Sequence, residues 1–390
     1  MPTLMDYLQD YGHLTFARHP FAPPDSLAIT QIVYMPMEGL LDNGGETTVR
    51  QLCAFLAQTY PQGFDDPFQQ KRYLMTERCK DTARFGDLII TDYVNHIDPK
   101  QVTQFCAATF ILPDGARYIT FRGTDLTLAG WKEDLNMSFM EVPAQKAATA
   151  YTRRAAEAFG GEMMLGGHSK GGHLALYAAA HLPAAIQSRI RCVYSFDGPG
   201  MNEQTLSGKG YARISPKVES YIPQSSVVGM LLCYHPQFCV VHSRAIGLFQ
   251  HDALTWQITD GAFETLAGLD IGTQVADEAL RQWIDQLSLA ERKFLTDTVF
   301  RVIATLDPET IDPLVQDFTA STIKLFAAFR KLEPETRTRA RRMLGELFSS
   351  GASEAVRLIL PGTFRRKGKD ATTETQAAPQ RDGAPETMQE

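Results

Sequence analysis

Long apolar runs, paired cysteines and an excess of positive charge are all missing from this sequence, and each absence removes a class of protein. The longest greasy stretch, Val227 to Leu232, falls far short of the roughly 18 apolar residues of a spanning helix. Six cysteines (Cys53, Cys79, Cys106, Cys192, Cys233 and Cys239) are scattered without a CxxC pair. Four of them sit among apolar neighbours, so reduced core thiols are expected, with no disulfide framework, no metal site and no cofactor. With 38 Lys+Arg against 45 Asp+Glu the net charge is −7, which gives no general pull toward phosphate backbones or anionic lipid. Nucleic acid is therefore not an expected partner. The first ten residues carry Asp6 and Asp10 and lack both a basic and an apolar signal region, so the cytoplasm is the expected compartment. No internal repeat of fixed period occurs.

What is present is an ordinary globular composition, 44% apolar and 21% charged over 390 residues. Residues 1–45 are rich in turn-formers, including Pro20, Pro23, Pro24 and Gly44-Gly45, and read as an irregular N-terminal cover. Thr48 then precedes Val49, Leu52, Cys53 and Leu56, one apolar helix face, which predicts a helix over 47–58. Phe105 to Leu112 and Tyr118 to Phe121 flank Pro113-Asp114-Gly115 and predict a hairpin. Beyond it, helix and strand alternate: helix 144–159, strand 163–165, helix 172–181, strand 190–196, then strand-like runs at 218–222 and 238–242. Such alternation implies a mostly parallel sheet flanked by helices over 46–260. From 273 to 362 the pattern is helical only, with a capping box at Ser288-Leu289-Ala290-Glu291 and further helices near 308–331, 336–348 and 351–360. This helical lobe is expected to pack against the α/β domain and offers a surface for a protein partner. Arg337, Arg339, Arg341 and Arg342 read as a solvated helix face, with contact to anionic lipid as the alternative. Residues 365–390 are polar and read as a disordered tail.

The chemistry is concentrated at Gly167-His168-Ser169-Lys170-Gly171, a G-x-S-x-G between an apolar strand and a helix. A strand-to-helix turn this sharp strains the serine backbone, so the residues two positions away on either side must be small. Gly167 and Gly171 meet that demand. The turn lifts the Ser169 hydroxyl to a helix N-terminus, where free N–H groups favour developing negative charge.

This sequence resembles the α/β-hydrolases, and within them the class 3 (fungal-type) lipases and a related, poorly characterised bacterial lipase-like family. The likeness rests on Phe121-Arg122-Gly123-Thr124, Trp131-Lys132-Glu133-Asp134-Leu135, Gly167 to Gly172, and Phe196-Asp197-Gly198-Pro199-Gly200. It covers roughly residues 100–260 and leaves the helical third outside. The resemblance assigns Thr124 to the oxyanion hole, and the residue's place at a strand end ahead of the elbow agrees. The other donor is the backbone N–H of Lys170. Class 3 lipases usually carry an apolar residue at that position, and the Lys170 ammonium is expected to reach water, with an anionic substrate group as the alternative.

A serine hydroxyl needs a base, and in this fold the order is serine, acid, histidine. His173 and His181 follow on the elbow helix and His242 lies in a β-like run, which leaves His251, in a polar loop, as the expected base and His235 as the alternative. In class 3 lipases the acid follows the next strand but one, yet Tyr221 to Ser226 holds no carboxylate. Asp197 is the nearest substitute, although Asp before Gly is also a common turn former. Glu219, inside a strand, and Asp252, beside the base, are poorer candidates. The expected function is a serine hydrolase that cleaves carboxylic esters of lipid-like or small acyl substrates, with Val227 to Tyr234 as an apolar wall. The alternative is a catalytically inactive lipase-like binding or scaffolding protein, favoured by the missing acid after the 218–222 strand.

Overall fold

The Pro113-Asp114-Gly115 turn forms as its residues dictate: Gly115 adopts a left-handed φ of 85°, Asp114 Oδ1 accepts the Ala116 N–H at 3.0 Å, and Leu112 N donates to Ala116 O at 2.9 Å. It joins β3 (Thr103–Ile111) to β4 (Arg117–Phe121) as an antiparallel pair. The structure, a computed structural model, describes residues 1–349 except 43, 99–102, 125–131, 135, 138–139, 227, 230–237, 271–277, 279–281, 285 and 307–317. Trp131, Leu135, His235, most of the Val227 to Tyr234 wall, the 351–360 helix and the 365–390 tail lie outside the described residues.

The remaining strands of the main sheet are β1 (Glu46–Thr48), β2 (Ile89–Asp98), β5 (Met163–His168), β6 (Ile190–Phe196), β7 (Val218–Pro223), β8 (Cys239–Val241) and an edge strand Thr265–Leu266, laid side by side in chain order. Pairing is parallel from β4 through β8 and antiparallel on both flanks. The sheet is therefore a parallel centre with antiparallel margins, the mixed form of the α/β-hydrolase-like architecture expected from sequence. Strand β2 was not foreseen. Its residues Asp92 to Asp98 alternate poorly between apolar and polar, and β2 is held instead by its long antiparallel pairing with β3.

Side chains alternate across the sheet. Tyr118, Met164, Tyr194 and Phe196 point to one core, and Ile119, Phe121, Leu165 and Val193 to the other. The second core is covered by α5 (Pro143–Ala158) and α6 (Lys170–His181). Every α6 residue from Lys170 to Ala180 is buried, so its small, all-round apolar composition suits a helix enclosed on several sides. The first core is covered by α1 (Leu4–Tyr11), α2 (Pro23–Ile32), α3 (Val49–Thr59) and α4 (Pro67–Lys80). Helix α3 starts as predicted, with Thr48 Oγ1 accepting the Gln51 N–H at 3.2 Å.

Helices α1 and α2 replace the irregular cover expected over 1–45. Residues 24–32 of α2 are buried, which leaves no polar face for a sequence periodicity to reveal. Its Asp25 meets the Arg84 guanidinium with both side chains at 0% exposure, and Tyr7 Oη donates to Asp25 Oδ1 at 2.8 Å.

Three described helices follow the sheet: α7 (Leu289–Ile303), α8 (Phe318–Arg330) and α9 (Pro334–Ser349). The Ser288/Glu291 capping box forms on both sides. Trp283, Leu287 and Met343 make a small separate core, and Trp283 Nε1 donates to Met343 O at 2.9 Å. Arg341 and Arg342 of α9 are exposed and Arg337 and Arg339 half-buried, and all four touch the lobe's own residues: Arg339 lies over Phe294, Arg341 over Phe329, Arg342 beside Glu291, and Arg337 donates to Arg330 O. Lys132 Nζ to Asp297 Oδ1, 2.8 Å, links the lobe to the α/β domain. Among the described residues no helix is long and apolar enough to cross a membrane.

Candidate active site

Ser169 stands between β5 and α6 with φ 59° and ψ −133°, a strained conformation for a residue with a β-carbon. Its neighbours show why glycine is required. A β-carbon on Gly167 would stand 2.2 Å from the Gly171 carbonyl carbon, and one on Gly171 would stand 2.0 Å from the Phe121 oxygen. Gly123, before the proposed oxyanion residue, is as confined: a β-carbon there would stand 2.2 Å from Tyr34 Oη and 3.1 Å from Ser169 Cβ.

At the end of the adjacent strand β6, Asp197 also has a left-handed backbone, φ 47°, and is fully buried. Its N–H donates to Tyr221 O at 2.7 Å. Oδ1 accepts from Ser226 Oγ and from Gly229 N at 3.1 Å, and Oδ2 receives His251 Nδ1 at 2.6 Å. Proton donation from Nδ1 leaves Nε2 of His251 as the acceptor nitrogen. The Asp197 carboxylate thus bonds His251 while its backbone makes the turn. Among the described residues neither Ser169 Oγ nor His251 Nε2 engages in a hydrogen bond, so the serine–histidine bond expected from chain order is not formed here. Such bonds are often long in substrate-free sites and tighten on binding.

The other candidates sit elsewhere. Glu219 accepts from Tyr221 Oη at 2.7 Å, Asp252 pairs with Lys71 Nζ at 3.0 Å, and His242 lies 3.1 Å from Glu264 Oε1. His181 Nδ1 bonds Tyr177 O at 2.8 Å. His173 is buried, with Nδ1 donating to Gly200 O at 2.8 Å and Nε2 accepting from Gln145 Nε2 at 2.7 Å, and burial pushes its pKa down to about 4. It props the loop after Asp197.

Lys170 departs from expectation. Its side chain is 1% exposed instead of reaching water, and Nζ lies 2.9 Å from Glu133 Oε2 and 3.6 Å from Asp134 Oδ1. Asp134 Oδ2 in turn accepts the Thr124 hydroxyl. Burial raises the Asp134 carboxyl above the ordinary range, and the Lys170 ammonium opposes that shift.

Two residues escaped the sequence reading. His168 is buried, its Nε2 donates to His251 O at 2.8 Å, and the two rings lie 4.7 Å apart. Burial, reinforced by the neighbouring His251, holds the His168 pKa well below the usual value, so the ring is neutral with Nδ1 as acceptor. Tyr34, from the segment after α2, reaches that nitrogen with its hydroxyl at 3.4 Å and accepts the Gly123 N–H at 3.0 Å. The Arg72 guanidinium lies 3.9 Å above its ring. His168 stood inside the elbow motif, whereas nothing in the local sequence around Tyr34 marks it.

Among solved structures, this chain is similar to M37 lipase, at 13% identity and a TM-score of 0.33 over 54% of this chain and 70% of that one. It is also similar to the Rhizomucor miehei lipase in its propeptide complex, at 13% identity and a TM-score of 0.32 over 57% and 68%. Among curated proteins none matches. Residues 79–301 match the Mbeg1-like family, a span that takes in β2 to β8, the elbow, Asp197, His251 and most of the first helix of the lobe. The chain belongs to the Mbeg1-like family.

Proposed function

We propose that this protein is a serine hydrolase that cleaves carboxylic esters through an acyl-enzyme. The observation that carries the reading is the 2.6 Å bond from His251 Nδ1 to the buried Asp197 carboxylate, beside a serine held at an elbow with φ 59°. An imidazole oriented by a buried carboxylate, on a loop tied to the residue that precedes a strained serine, has the parts of a nucleophile–base–acid set.

In this reading Ser169 Oγ attacks the acyl carbon as its proton passes to His251 Nε2. Asp197 stabilises the imidazolium that forms. The tetrahedral oxyanion is received by the backbone N–H groups of Lys170 and Thr124. Collapse of the intermediate expels the alcohol, which takes the proton from His251, and water then releases the acid by the same steps in reverse. The substrate class is an ester with a lipid-like or small acyl group.

The alternative, an inactive lipase-like scaffold, drew on the missing carboxylate after β7. The 2.6 Å bond from His251 to Asp197 at the end of β6 weighs against that reading, since it offers a carboxylate from another strand. A fluorophosphonate probe should label the wild type at Ser169, and Ser169→Ala should abolish labelling. A folded wild type that neither takes the probe nor hydrolyses short-chain p-nitrophenyl esters would return the scaffold reading to first place.

A further inference from the structure

We propose that the Lys170 side chain is a positioning group, one that straps together the two halves of the oxyanion hole. The inference rests on the serine-hydrolase reading above and deepens it. The β4–β5 ladder ends at the pair Phe121 and Gly167, and both proposed donors, Thr124 and Lys170, lie beyond it. Backbone pairing therefore does not set their separation. A side-chain chain does: Thr124 Oγ1 donates to Asp134 Oδ2, Asp134 Oδ1 faces Lys170 Nζ at 3.6 Å, and Lys170 Nζ bonds Glu133 Oε2 at 2.9 Å.

Glu133 makes the far end rigid. It is 0% exposed, its Oε1 accepts the Ala144 N–H at 3.1 Å, and its Oε2 also accepts the Gln104 N–H at 3.0 Å, so the ammonium is tied to α5 and β3 at once. A lysine stem is long enough to carry its charge to solvent, and burial of an ammonium is unfavourable unless it is paired. Directing Lys170 inward toward two carboxylates, one of which holds the Thr124 hydroxyl, lets one residue supply a donor through its backbone and fix the opposite donor through its side chain. The 3.6 Å contact is an ion pair longer than a hydrogen bond, so charge is what holds Asp134 there.

The test separates this role from plain structural support. Lys170→Met alone would leave Glu133 buried and uncompensated, so the informative variant is Lys170→Met with Glu133→Gln, which removes both charges at similar volume. We expect this double variant to fold at a lowered melting temperature, since a glutamine amide can accept only one of the two backbone N–H groups that Glu133 holds, to keep KM within about twofold and to lose at least about tenfold in kcat on a p-nitrophenyl ester, because misaligned oxyanion donors cost transition-state binding alone. Asp134→Asn, which keeps an acceptor for Thr124 but loses the attraction to the ammonium, should show the same split and decides the matter if the double variant does not fold. Unchanged kcat in a folded variant overturns the strap and leaves the hydrolase reading standing. A wild type without esterase activity or Ser169 labelling instead overturns the hydrolase reading.

Discussion

His168 and His251 stack with ring centroids 4.7 Å apart, and the first donates from Nε2 to the backbone carbonyl of the second at 2.8 Å. The residue before the elbow serine thus holds the loop that carries the proposed base. The tautomer this requires leaves His168 Nδ1 as an acceptor for Tyr34 Oη, which also caps Gly123 N–H. A single phenol in the N-terminal helical cover therefore reaches both the histidine that grips the base loop and the strand end before Thr124.

Tyr34→Phe removes that phenol oxygen and leaves a buried N–H without its partner. We expect a stability loss of about 1–3 kcal/mol, the cost of one unsatisfied buried donor. Ester turnover should fall with little change in KM. Urea unfolding and steady-state kinetics on the same preparation check both, and unchanged kcat would limit Tyr34 to a structural role.

Asp197→Asn should lower kcat by roughly 10³- to 10⁴-fold, since an amide facing Nδ1 favours the wrong imidazole tautomer. Ser169→Ala should cost more, on the order of 10⁶-fold, because it removes the nucleophile itself. Equal, small effects from both would contradict the assigned roles.

Acid should destabilise the fold through its buried histidines. The folded-state pKa of His173 is about 4, against about 6.5 for an unperturbed histidine. Between those values the unfolded chain binds a proton that the folded chain refuses, so stability is lost as pH falls through that window. The full loss is on the order of 3 kcal/mol for His173, and His168 acts in the same direction. Melting curves from pH 7 to 4 should show this slope, and His173→Asn should flatten it in part.

Gly171→Ala should destabilise by at least about 3 kcal/mol or prevent folding, because the new β-carbon meets the Phe121 backbone oxygen at 2.0 Å and neither partner can rotate away. Gly160→Ala is the control: nothing lies within 4 Å of a β-carbon there, so the change should stay within about 0.5 kcal/mol. Comparable losses at both positions would rule out the elbow contact as the cause.

Removal of the helical lobe should start after Asp270. A cut after Asp260 would also take the edge strand Thr265–Leu266 that pairs with β8. We propose that the lobe packs on the α/β domain, with Lys132–Asp297 as one point of contact. The shortened protein should then melt at lower temperature, and an unchanged melting curve would make the lobe an independent module.

Much of the α/β domain was legible because its signals are local. The hairpin around Asp114-Gly115 is specified by turn chemistry, and α3 by a cap and an apolar stripe. The elbow is specified by two glycines spaced around a serine, since any β-carbon there collides with backbone. Periodicity failed where burial is complete. Helix α2 has no polar face, and β2 is defined by its partner more than by its own alternation.

The site divides along the same line. The proposed roles of Ser169, Asp197 and His251 come from chain order, a strand end and a polar loop, each readable one residue at a time. The inward course of Lys170, the grip of His168 on His251 and the reach of Tyr34 to Gly123 join residues 37, 83 and 89 positions apart. Nothing local specifies them: a lysine turns inward only because Glu133 and Asp134 wait on another element, and a pairing energy of that kind exists only once the chain has folded.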